Sequence, residues 1–219
     1  SIDRESDGVI YTYAGQEIGV ASTKNFIAQL VNLYLFTIYL GVLKWTISEK
    51  ESKDMISEIK CLPEYVENVL QQNKDIERIA KKYYQSKDFL FIGRGLNYPT
   101  ALEGALKLKE ISYIHATGYA AGELKHGPIA LIDKHMPVVC IATKSATYEK
   151  MISNIQEVKA RKGRLIIIAT EGDEFVKQLS EDIIYVPEVP ESLAPIVTSI
   201  PLQLLAYHIA VNLGCDVDQ

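Results

Sequence analysis

The chain has 219 residues, 47% of them hydrophobic and 23% charged, an ordinary globular composition with enough length for one large or two small domains. A formal net charge of -5 gives no broad positive field, so nucleic acid and anionic membrane are not expected partners and a small molecule is. Cys61, Cys140 and Cys215 lie far apart without C-x-x-C or paired Cys/His spacing, which fits reduced thiols in a cytoplasmic protein and argues against a metal site or a disulfide framework.

In chain order, Val9-Ile10-Tyr11 reads as a short strand. The stretch over 26–43 is apolar but interrupted by Gln29, Asn32 and Gly41, which predicts a buried helix and not a membrane span. Just before it, Ser22 or Thr23 can cap the helix amides, or the same hydroxyls can meet a ligand at the helix start. Residues 48–86 are charged, with Met55, Ile59, Leu62, Val66, Val69, Ile76 and Ile79 at helical intervals, and predict a helical connector whose second helix starts at Pro63.

After residue 85, apolar runs at 89–92, 137–142, 165–169 and 183–186 predict buried strands. Helix-length segments over 98–114, 147–161 and 193–213 separate or follow them, with Pro195 and Pro201 as start or kink points of the last. Buried strands alternating with helices imply an α/β fold, a doubly wound, mainly parallel sheet with flanking helices.

A shift of 174 residues lays Val9-Ile10-Tyr11 on Ile183-Ile184-Tyr185, Glu17 on Glu191 and Gln29-Leu30 on Gln203-Leu204. Each copy then reads as strand, loop and long apolar helix ending near Gly41 or Gly214, the mark of a duplicated domain. The expected division is a carboxy-terminal remnant of a first domain over 1–47, a connector over 48–86 and a second domain over 87–219. The fold is thus one complete copy plus the last strand and helix of a preceding one.

Three places carry candidate chemistry. Gly93-Arg94-Gly95 ends a strand before a helix near Pro99, where doubly wound sheets place ligands, although a tight structural turn accounts for it equally and the third glycine of a dinucleotide fingerprint is missing. Glu103, Lys107 and Glu110 form one helical stripe, either a solvated salt-bridge ladder or a half-buried proton shuttle at the ligand end of the sheet. The run from Gly122 to Pro128 holds His126 in a loop, with Pro128 placed to begin a short helix. His126 is either a surface histidine or an acid–base group for opening a cyclic sugar. His115, His135 and His208 have no such company and read as structural or surface residues.

Four longer motifs go further: the segment from Glu17 to Lys24, that from Leu102 to Ile111, that from Gly122 to Pro128, and that from Pro201 to Tyr207. In this order they resemble the isomerase region of the glutamine:fructose-6-phosphate aminotransferases, built from two sugar-isomerase (SIS) domains, over nearly the whole chain. The resemblance implies conversion of fructose 6-phosphate, with ammonia from a glutaminase domain in the same longer chain, to glucosamine 6-phosphate. It implies catalytic roles for Glu110, His126 and Lys107: Glu110 moving a proton between the first two carbons, His126 assisting ring opening and Lys107 lying beside the base. Val20 and Ser22 would line the sugar pocket. In that family the histidine reaches a neighbouring subunit, so a homodimer is expected; no metal or cofactor is.

The family's serine- and threonine-rich phosphate loop and its lysine-bearing tail have no match here. The 219 residues alone are therefore expected neither to hydrolyse glutamine nor to make the amino sugar. The other readings are a different SIS-type isomerase or deglycase and a sugar-phosphate sensor, the latter disfavoured by the lack of a basic recognition helix.

Overall fold

The computed structural model describes residues 2–218. Helices α1 (Lys24–Leu43), α2 (Glu49–Gln71) and α3 (Asn73–Tyr83) come first. They are followed by β1 (Asp88–Gly93), α4 (Asn97–Ser112), β2 (His115–Ala120), β3 (Pro137–Ala142), α5 (Tyr148–Ala160), β4 (Arg164–Thr170), β5 (Ile183–Val186) and α6 (Ala194–Leu213). All five strands are parallel, in the order β2-β1-β3-β4-β5, so the order of strands changes sense between β1 and β3. Register runs from Asp88 opposite His115 to Gly93 opposite Ala120, and from Pro137 opposite Arg164 to Ala142 opposite Ala169.

Alternate residues of the central strands feed two separate cores. Phe89, Phe91, Val139, Ile141, Ile166 and Ile168 pack with residues of α3, α4 and α6, while Leu90, Ile92, Val138, Cys140, Leu165 and Ile167 pack with Met151, Ile155 and Val158 of α5. Burial on both faces is why these strands read as unbroken apolar runs. Complete burial also pushes the Cys140 thiol well above its ordinary value, so it serves as a small apolar filler.

Strand β2 escapes that pattern. It is an edge strand with only Ala116 buried, and Tyr113 in a left-handed conformation (φ 60) turns the chain into it from α4. Gly118 is required there because a Cβ would come 2.9 Å from the Leu102 Cα of the helix above.

Three expectations are corrected. No strand forms over Val9-Ile10-Tyr11, where residues 6–23 carry neither helix nor strand and all three side chains are exposed, because no described strand lies beside them to complete a ladder. Helix α1 forms, but it is not a buried helix: Ile27, Leu30, Val31 and Tyr34 lean on the core, while Leu33, Phe36, Tyr39 and Leu43 are exposed. It and the stretch Glu191–Leu213 are long and apolar enough to cross a membrane, and most of the latter is buried in the core. Pro63 does not start a helix. It lies inside α2, which continues to Gln71 with Leu62 and Val69 buried, and the break before α3 falls at Gln72.

Candidate active site

Helix α4 sets Glu103, Lys107 and Glu110 above one another at successive turns. The Lys107 ammonium stands between the two carboxylates, 2.5 Å from Glu110 Oε2 and 3.6 Å from Glu103 Oε1. Side-chain exposure is 4% at Lys107, 12% at Glu103 and 33% at Glu110, so the stripe is no solvated ladder. Burial lifts the Glu103 carboxyl above its ordinary value, opposed by the Lys107 charge and reinforced by that of Glu110.

The cover over this stripe comes from distant parts of the chain. A cavity of about 300 Å³ is lined by Lys107 and Ile111 of α4, Gln203 and Tyr207 of α6, the loop residues Glu17, Ile18, Gly19, Ala21, Thr23 and Lys24, and Val217 and Asp218 beyond α6. It lies on the outer side of α4, not at the ligand end of the sheet. The reason is topological: α4 starts at the carboxyl end of β1 and runs to the opposite end of the sheet, with Glu110 two residues before its last, Ser112.

The loop ahead of α1 is ordered by one carboxylate. Glu17 Oε1 accepts the Thr23 backbone N–H at 2.8 Å and the Thr23 hydroxyl at 3.0 Å, and Oε2 accepts the Ser22 hydroxyl at 3.1 Å. Burial would raise the Glu17 carboxyl, but these bonds together outweigh it and hold the group below its usual range. Ser22 and Thr23 therefore do not cap the helix with their own side chains; Glu17 takes the amide in their place. Ser22 and Val20 alternate with the cavity-lining Gly19, Ala21 and Thr23, and Val20 is exposed.

His126 is not part of this cavity within one chain. It ends a 3-10 helix, Ala121–His126, that follows β2; its ring is 74% exposed and its nearest charged partner is Glu123 at 3.9 Å. Lys125 of the same turn pairs with Glu157 at 2.8 Å, and Gly122 lies under the Arg94 guanidinium, where a Cβ would approach Nη1 to 3.0 Å. Pro128 does begin a short 3-10 helix, Pro128–Leu131.

The Gly93-Arg94-Gly95 turn is tight. A Cβ on Gly93 would meet the Asn97 carbonyl oxygen at 2.2 Å, Gly95 has φ +55, and Arg94 Nη1 donates to Asn154 Oδ1 at 2.9 Å. Nearby, the Glu191 carboxylate accepts the Ala146 backbone N–H at 3.3 Å and so takes up an amide of the loop after β3.

Sequence reasoning did not assign Lys24, Gln203, Tyr207 or Asp218 to the site. Signals were present, since Gln203 is a point of agreement between the repeats and Lys24 and Tyr207 each close one of the resembling motifs.

The doubly wound parallel sheet places the chain in the α/β class, and the model of the SIS domain matches residues 82–213: the chain belongs to the SIS domain family. Among curated proteins it is 56% identical to a glutamine--fructose-6-phosphate aminotransferase [isomerizing] of Thermus thermophilus and 52% identical to that of Chlorobaculum tepidum, in each case over 100% of this chain and 36% of the relative. The chain thus spans about a third of the length of these relatives. Among solved structures it resembles the C-terminal domain of glucosamine-fructose-6-phosphate aminotransferase from Francisella tularensis, with a TM-score of 0.93 and 44% identity over 99% of this chain and 61% of that one.

Proposed function

We propose that this chain is the isomerase part of a longer glutamine:fructose-6-phosphate aminotransferase, which joins ammonia from glutamine to fructose 6-phosphate and isomerises the product to glucosamine 6-phosphate. The observation that carries this reading is the Glu110–Lys107 pair at 2.5 Å beside a cavity large enough for a phosphorylated hexose. Identity of 56% to a protein of that name supports it.

Each residue then has a task. Ammonia adds to the C2 carbonyl and water leaves; Glu110, the more accessible carboxylate, takes the proton from C1 and returns it at C2. Lys107, sealed from solvent, orients that carboxylate and balances its charge with that of Glu103. Val20 and Ser22 belong to the loop that covers the sugar, and Glu17 holds that loop in place. His126 assists ring opening in the site of a second subunit, which its exposed position on a turn outside the cavity allows. The partners are the sugar phosphate, a second copy of the chain and the glutaminase domain of the same longer polypeptide, in the cytoplasm. Residues 1–47 belong to a first SIS domain, 48–86 to a connector and 87–219 to a second SIS domain, a division that the family match over 82–213 supports.

Co-expression of two inactive full-length variants, Glu110→Gln and His126→Ala, tests the reading. A heterodimer has one site with both Glu110 and His126 intact, so random pairing restores about a quarter of wild-type glucosamine 6-phosphate formation. Absence of product from the wild type contradicts the function, and absence of restoration contradicts the shared site.

A further inference from the structure

Two buried side-chain polar atoms among the described residues have no hydrogen-bond partner, Asn97 Oδ1 and Gln203 Nε2. The Asn97 amide is already held by its other end, since Nδ2 donates to Thr143 Oγ1 at 2.8 Å. Gln203 is different, because it sits on α6 among Ile200, Leu202, Leu205 and Ala206, all buried apolar residues, and lines the cavity that holds Lys107.

A buried amide nitrogen without an acceptor is disfavoured, and at a purely structural position a methionine or leucine of similar volume would remove the penalty. Solvation does not account for the choice: at the equivalent place in the repeat, Gln29 is exposed, whereas the Gln203 nitrogen is sealed. The other polar groups of the cavity are largely charged. An amide adds two neutral N–H donors, suited to hydroxyl or carbonyl oxygens, and leaves the charge balance of the Glu103–Lys107–Glu110 stripe untouched.

We infer that Gln203 is a substrate-binding residue, whose side-chain amide donates to an oxygen of the polyhydroxylated sugar chain held against α4. The inference rests on the proposed sugar-phosphate site and adds to it a contact from α6. Its partner is an oxygen of the open or opening sugar, since Gln203 lines the same cavity as Lys107, and the contact requires the side chain to turn its sealed nitrogen toward that cavity.

The test uses the full-length protein and fructose 6-phosphate, comparing wild type with Gln203→Met, which keeps length and removes the donors, and with Gln203→Glu, which keeps shape. The expected result for Gln203→Met is a KM for fructose 6-phosphate raised about tenfold, a kcat within about threefold of wild type, and a smaller thermal shift on adding the sugar phosphate. Its melting temperature without ligand stays equal or rises, because an unpaired buried group is gone. Gln203→Glu raises KM further, through carboxylate crowding. A melting temperature that falls in both variants with KM unchanged overturns the inference and makes Gln203 structural. If the wild type itself neither turns over fructose 6-phosphate nor shifts with it, the sugar-phosphate reading fails first and this contact fails with it.

Discussion

Lys107 is a tightly held charge, an ammonium almost without solvent that bridges a largely buried carboxylate and a more open one. Replacement by methionine leaves Glu103 without its cation. Because Glu110 is one-third exposed, the loss is on the order of 2 kcal/mol, below that for a fully buried pair. The sign with pH follows from Glu103, whose folded value already lies above its unfolded one, so its ionisation lowers stability as pH rises through the folded value. Lys107→Met raises that value further. The melting-temperature deficit of the variant therefore grows as pH rises from the folded value of Glu103 in the wild type to that in the variant, and a constant deficit would show that the two groups are not coupled.

The stripe itself was legible in the sequence, since four- and three-residue spacing is local geometry. Its burial was not, because the covering residues 17–24 and 217–218 come from more than seventy positions away on either side, and only the folded chain brings Gln203 beside them. His126 could be singled out by its polar neighbours and by resemblance. Its distance from the cavity could not be foreseen from a single sequence.

At the scale of elements, strands β1, β3, β4 and β5 announced themselves through apolar runs, and their bounds match those runs to within a residue at either end. Strand β2, with sequence HATGYA, gave no such signal because an edge strand with one buried side chain needs none. The opposite failure occurred over Val9-Ile10-Tyr11, where the right pattern has no neighbouring strand. The other edge, β5, is closed by a side chain. Gln72 Nε2 donates to the Tyr185 carbonyl at 2.5 Å and the Tyr185 N–H donates to Gln72 Oε1 at 3.1 Å, so one amide imitates the missing strand. Gln72→Ala should cost about 1–2 kcal/mol and speed hydrogen exchange at the Tyr185 amide, with no effect on that of Ile167 in the next strand. Unchanged exchange at Tyr185 would mean that the edge is protected by other groups.

For the molecule as a whole, α6 ties the sheet to α2, α3 and α4, and His208 lies on it at the junction with α3, its Nε2 2.7 Å from Asn73 Oδ1. Burial holds this imidazole below its ordinary value of 6.5, with Glu77 opposing and Lys81 adding to the effect. On acidification the unfolded chain takes up the proton first, so stability is full above the unfolded value and declines as pH falls below it. His208→Gln removes that component: the stability difference from wild type should narrow between about pH 7.5 and about pH 5.5, and a parallel pair of curves would contradict it.

The central claim concerns Glu110. Full-length protein carrying Glu110→Gln, assayed with fructose 6-phosphate and glutamine, should make glucosamine 6-phosphate about a hundred to ten thousand times more slowly while still hydrolysing glutamine and binding the sugar phosphate. Product formation at the wild-type rate would contradict the account.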